Sequence, residues 1–107
     1  MSGPFVIAAY SAPVSPEAVR ADFPGFSFGT FRDPPGQVWA DFVHDTDEFV
    51  VVAEGRVHIE VAGETAACRT GDLVLIPRHA RHSLTTSPEA GSVWFYGYGT
   101  FEGGRHG

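Results

Sequence analysis

From Gln37 onward the chain is a succession of short β-branched and aromatic runs, each stopped within a few residues by a turn signal. Residues 38–43 read as one strand and 48–53 as the next, with Asp45-Thr46-Asp47 turning between them. Glu54-Gly55 turns into 56–61, and Ala62-Gly63-Glu64 turns again. Thr70-Gly71-Asp72 leads into 73–76, which Pro77 stops; residues 82–86, a loop at 87–91 and a last strand at 93–98 complete the series. Val, Ile, Phe and Trp suit a pleated, half-buried surface, whereas Gly, Pro and Asp interrupt it. Runs this short, this often turned, predict an all-β antiparallel sandwich or barrel.

The N-terminal part is less regular. Phe5-Val6-Ile7-Ala8-Ala9-Tyr10 reads as a first strand. Ser15 before Pro16-Glu17 has the form of an N-cap with proline in the first turn, so a short helix is expected over 16–22, the only one in the chain. Residues 26–31 alternate aromatic and small side chains and predict a second strand, and Asp33-Pro34-Pro35-Gly36 is a strong turn. Residues 103–107 read as a flexible tail.

A length of 107 residues fits one domain. The net charge of −6, with 7 Lys and Arg scattered along the chain, argues against a nucleic-acid surface, which needs clustered basic residues. Cys68 is the only cysteine, so a disulfide scaffold is excluded. The N-terminus lacks a basic segment followed by a long apolar one, and the longest apolar run, 49–53, is far below the roughly 20 residues of a membrane span. No membrane association and a cytoplasmic location are the expectation.

The chemistry concentrates in His44-Asp45-Thr46-Asp47-Glu48. On one straight strand His44 and Glu48 would stand about 13 Å apart, at roughly 3.3 Å per residue, too far to share an ion. One helical turn or a hairpin would bring them together. The flanks, Val43 and Phe49-Val50-Val51-Val52, are poor helix formers and good strand formers, which favours the hairpin. Glu48 then shares a face with Val50 and Val52, and His44 with Phe42 and Ala40. A carboxylate directed into an apolar interior needs a partner, and a metal ion that also takes His82 would satisfy both groups.

The spacing resembles the cupin superfamily. Its first motif is similar to His44, three residues, Glu48, six residues, Gly55; its second to Gly71, five residues, Pro77, then His82. The resemblance implies a single cupin domain over 1–107, a small RmlC-like jelly-roll β-barrel with motif 1 at about 36–55 and motif 2 at about 71–82. It also implies one divalent metal (Fe, Zn, Mn or Ni) held by His44, Glu48 and His82. The sequence departs from the family twice. Phe42 stands where the first histidine of a His-x-His pair belongs, leaving a three-ligand version of a four-ligand site. His79 replaces the glycine before the last ligand, which calls for a left-handed backbone there.

The other singled-out residues have plainer roles. His79 is expected at a pocket rim or in solvent rather than on the metal, His58 in an alternating strand, and His106 in the tail. Cys68 reads as a small buried thiol, and Gly55 and Gly71 as turn residues with positive φ. Phe42, Trp39, His79, Tyr96 and Tyr98 are the candidates for a substrate pocket. The leading functional reading is a metal-dependent enzyme on a small organic substrate, of oxygenase, isomerase or lyase type, since two histidines and a carboxylate suit a metal with open positions. A non-catalytic module that binds or senses a small ligand or metal follows closely. A structural or storage barrel comes third. A homodimer is expected in each case, formed through residues 93–96 and the N-terminal strand.

Overall fold

The computed structural model describes residues 3–101; the expected tail at 103–107, with His106, lies outside the described residues. Among the described residues, strands β1 (Phe5–Val6), β7 (Leu73–Ile76), β4 (Asp47–Glu54), β9 (Ser92–Gly99) and β2 (Gly29–Asp33) form one antiparallel sheet in that order. Strands β3 (Val38–Phe42), β8 (His82–Thr86), β5 (Arg56–Val61) and β6 (Glu64–Arg69) form the other. The inner faces meet in one apolar core: Val50, Val52, Val74, Ile76 and Trp94 from the first sheet pack with Val57, Ile59, Val61, Cys68 and Leu84 from the second. This is the two-sheet jelly roll that the family resemblance implied.

Strand β5 shows how the pattern generates it. Val57, Ile59 and Val61 are buried while Arg56, His58 and Glu60 are exposed, as period-2 alternation demands of a sheet with one wet face. Strand β4 is different: six consecutive residues from Asp47 to Val52 are buried. Its outer face carries Phe49 and Val51 into a second cluster with Val14, Val19 and Phe95. The lid over that face is helix α1 (Pro16–Asp22) and the aromatics that follow. Ser15 caps the helix, its Oγ accepting from Ala18 N at 3.2 Å. Phe23 stacks on Phe49 with ring centroids 4.3 Å apart, and Phe26 lies 5.7 Å from the same ring.

Several expectations need correction. The first strand ends at Val6, because Ala8 turns to φ +55 and donates its N–H to the Asp72 carboxylate, and Tyr10 N bonds to Gly71 O instead of continuing along β7. The second strand covers Gly29–Asp33, since Phe26 and Phe28 are drawn onto the outer face of β4. Strand β6, assigned no strand from sequence, pairs along its whole length with β5. Its Thr65-Ala66-Ala67-Cys68 core is too small and polar to announce a strand by itself. Strands β3 and β4 are no hairpin: they belong to opposite sheets, and 43–46 crosses between them. Strand β9 is no dimer edge either, being hydrogen-bonded to β4 on one side and β2 on the other. Gly55 and Gly71 have φ of +84 and +96, and His79 has φ +69, as their places in the turns require.

Candidate metal centre

The crossing from β3 to β4 delivers His44 to the interior from one sheet, while β4 presents Glu48 from the other. His82 is the first residue of β8, whose register sets it opposite Phe42 on β3 and Val61 on β5. Three backbone contacts hold the turn before His82 in place. Arg78 N donates to Asp47 Oδ1 at 2.9 Å, His79 N to His44 O at 2.8 Å, and Ala80 N to Pro77 O at 3.1 Å. The proline stop and the left-handed His79 thus set the turn's shape, and Asp47 anchors it to β4.

The three side chains converge. Candidate ligand atoms from His44, Glu48 and His82 all lie within 4.8 Å of one another. His44 Nε2 stands 3.6 Å and His82 Nε2 3.3 Å from Glu48 Oε1. Two atoms bound to one ion at about 2.1 Å stand at most about 4.2 Å apart, so both distances to Glu48 Oε1 are compatible with a shared ion. Glu48 and His82 are almost wholly buried, and His44 is partly open.

The carboxylate fits a cation on independent grounds. Glu48 Oε1 is buried without a hydrogen-bond partner, one of two such side-chain atoms among the described residues, the other being Ser92 Oγ. A buried carboxylate oxygen left unmet costs several kcal/mol on the order-of-magnitude scale for buried charge. His82 Nδ1 lies 3.1 Å from Ala80 O, which can only accept, so Nδ1 carries the proton. In the neutral ring the bare lone pair is then on Nε2, aimed at the point Glu48 Oε1 faces. Fixing a histidine's second nitrogen in this way is how proteins orient metal ligands. Without a cation, burial lowers the His82 pKa, but the adjoining Glu48 carboxylate and Ala80 carbonyl outweigh it and raise it above the ordinary histidine value.

Beside the ligands lies a cavity of about 170 Å³. Phe42, Trp39, Tyr96 and Tyr98, picked out from sequence, line it together with His44, Phe31, Leu84 and Trp94. His79 is exposed and is not part of the lining. Phe31 and Trp94 escaped the sequence reading as pocket residues, although the alternation of 94, 96 and 98 on β9 puts those three on one face. The rings form a circuit. Trp39 adjoins Phe31 at 5.5 Å, Phe31 adjoins Trp94 at 5.0 Å, and Trp94 adjoins Tyr96 at 5.6 Å. Tyr96 meets Tyr98 at 5.8 Å, Tyr98 meets His44 at 5.1 Å, and Phe42 closes the loop at 6.1 Å from His44 and 6.2 Å from Trp39. Burial and the Glu48 charge push the Tyr98 hydroxyl up to about 12, so it is a proton-bearing phenol at neutral pH.

The comparisons with known proteins agree with this fold. The family profile described as the cupin domain matches residues 29–95. An RmlC-like cupin from Shewanella frigidimarina superposes with a TM-score of 0.65 at 19% identity, over 73% of this chain and 68% of that one. Salicylate 1,2-dioxygenase from Pseudoaminobacter salicylatoxidans, solved with gentisate adducts, matches with a TM-score of 0.64 at 23% identity over 70% of this chain and 20% of that one. Drosophila melanogaster CENP-C, bound to CAL1, matches with a TM-score of 0.60 at 23% identity over 66% and 62%. No curated protein matches the chain in sequence. At these identities the solved structures speak for the fold alone. The family profile covers more than half of the chain, and the chain belongs to the cupin domain family.

Proposed function

We propose that the protein holds one divalent transition-metal ion through His44 Nε2, Glu48 Oε1 and His82 Nε2, and acts on a small organic molecule seated in the adjoining aromatic cavity. The observation that carries the reading is the buried, unpartnered Glu48 Oε1, with an imidazole nitrogen at 3.3 Å and another at 3.6 Å. Two histidines and one carboxylate suit iron(II), and also Zn, Mn or Ni, and leave positions open for a substrate atom. When bound, such an ion supplies Lewis acidity or, as iron, oxygen chemistry. The chain's own residues do the rest. Trp39, Phe42 and Tyr96 exclude water and confine the substrate, while Tyr98 offers a phenolic donor to a substrate oxygen. Phe42, set 6.0 Å from the His82 ring where a fourth ligand would come in the family pattern, makes this side of the site apolar.

The test is metal analysis of the purified protein, followed by chelation and titration with Fe(II), Zn, Mn and Ni. One equivalent bound in the native protein and binding weaker by on the order of 100-fold or more in Glu48→Gln is the expected result; failure of all four to bind would overturn the reading. A substrate-binding module without turnover is the second reading, and it is favoured by the small cavity, since sites for drug-sized molecules are typically about 300–1,000 Å³. Binding of a small molecule by metal-loaded protein with no product formed would select it. The proposal extends to a homodimer, supported by the exposed Val6 and Ile7 at the outer end of the first sheet. Sedimentation of wild type against Ile7→Asp checks it: a dimer for the first and a monomer for the second is expected.

A further inference from the structure

The aromatic cavity has a polarity that its apolar lining conceals. Asp33 is buried behind it and spends both carboxylate oxygens on indoles: Trp39 Nε1 donates to Oδ1 at 3.1 Å and Trp94 Nε1 to Oδ2 at 2.9 Å. A negative charge on the two N–H groups pushes electron density into the ring systems that line the cavity. No lysine or arginine lines the space. Rings whose faces are electron-rich and a buried anion behind two of them are the elements of an organic-cation site, where a charged nitrogen is held by aromatic quadrupoles instead of a salt bridge.

We infer that the cavity enclosed by Trp39, Phe31, Trp94 and Phe42 binds a methylated-ammonium group, and that the protein's ligand is a short organic cation carrying an oxygen donor at its other end. The two ends follow from the circuit of rings. The Trp39–Phe31–Trp94 arc is the one that Asp33 polarises, so it takes the cationic head. His44 and Tyr98 lie on the other arc, next to Glu48 and His82, so the oxygen points there. The oxygen end rests on the metal reading above; the cationic end does not. The space of about 170 Å³ equals about five or six water volumes at roughly 30 Å³ each, enough for a compact head group and short tail, not for a polycyclic ligand.

The experiment is calorimetric titration of choline into zinc-loaded and metal-free protein. The control is choline's carbon isostere, the same alcohol with the quaternary nitrogen replaced by carbon. Choline is expected to bind at least about tenfold more tightly than the isostere in both forms, the scale of a desolvated cation–π contact. The Trp39 and Trp94 indole N–H signals should shift in the NMR spectrum. Trp39→Leu and Phe42→Leu should each abolish the preference; Phe42 is 37% exposed, so its variant is expected to fold even if the first does not. Equal or tighter binding of the isostere, no binding of either, or a preference that survives Phe42→Leu would overturn the inference. Metal content, read separately, keeps the two proposals apart. A choline-selective protein that takes no metal retains the cation site and loses the metal centre, and a metal-loaded protein without selectivity does the reverse.

Discussion

Asp47 and Glu48 are neighbours on one strand, both are buried, and the fold treats them in opposite ways. Asp47 faces the turn before His82 and has every need met: Arg78 N at 2.9 Å, Arg78 Nε at 3.3 Å and Phe101 N at 2.7 Å all donate to it. Burial alone would raise its pKa; those donors outweigh burial and hold it below the usual carboxylate range. Glu48 faces the interior of the sandwich, where its Oε1 makes no hydrogen bond and meets only the imidazole nitrogens of His82 at 3.3 Å and His44 at 3.6 Å. The pleat sends consecutive side chains to opposite faces, so one peptide step separates a fully bonded carboxylate from one that faces the His44/His82 cluster. The fold gives the first carboxylate three donors and sets the second between two imidazoles.

The largest effect is expected from breaking the satisfied member. Asp47→Ala removes the carboxylate that accepts from the part-buried N–H groups of Arg78 and Phe101, at about 1–2 kcal/mol for each hydrogen bond. The ion pair itself adds little, because the Arg78 side chain is 41% exposed. A loss of about 2–4 kcal/mol should appear in urea unfolding as a lower midpoint with an unchanged slope. Glu48→Gln should behave oppositely: stability of the metal-free protein within about 1 kcal/mol of wild type, metal affinity down by on the order of 100-fold or more. If Asp47→Ala proves harmless and Glu48→Gln unfolds the protein, the contrast is wrong in both halves.

A gain of function sharpens the same point. The Phe42 ring lies within about 6 Å of both histidine rings, and its Cα pairs with that of His82. Phe42→His puts an imidazole where the family pattern has its fourth ligand, and should tighten zinc binding about tenfold, on the lower scale of what a metal-site contact is worth. The substitution removes one wall of the aromatic cavity, so ligand binding should fall as metal binding rises. Parallel titrations of metal and of choline would show whether the two move in opposite directions.

Much of this arrangement was legible in sequence, and the limits have identifiable causes. Helix α1, β5, β7 and β8 were expected at the bounds observed, because each combines a local pattern with its own stop: Ser15-Pro16, Gly55 and Gly63, Pro77, and the loop after Thr86. The spacing from His44 through Glu48 to His82 was legible too, since motif distances survive even where the path between them does not. The path was not. A turn at Asp45-Thr46-Asp47 is compatible with a hairpin and with a crossing between sheets, and only the partners β8 and β7 decide it. Strand β6 is defined by its ladder to β5 and not by its own side chains. The cavity needed both the parity of β9 and the placement of Phe31 on β2 across from Trp94, which no local pattern contains.

The smallest effect is in pH dependence, where the two sides of β4 should give opposite slopes in metal-free protein. Asp47 is held below its unfolded value, so its stabilisation is fully present above that value, near 3.8, and is lost as pH falls through the lower folded one. His82 is raised, its burial outweighed by the Glu48 carboxylate and Ala80 carbonyl. Its contribution is therefore present below the ordinary histidine value of 6.5 and disappears as pH rises through the folded one. Stability of the metal-free protein should thus decline gently on the alkaline side of neutrality, and Glu48→Gln should remove that decline while keeping the acid limb. Metal inverts the alkaline slope: a proton on His82 Nε2 competes with the ion, so loaded protein should gain stability over the same interval. Unfolding midpoints measured from pH 5 to 9 with zinc and with chelator, in wild type and Glu48→Gln, test all of this in one series. Parallel curves with and without zinc would mean that the ion binds somewhere other than between His44, Glu48 and His82.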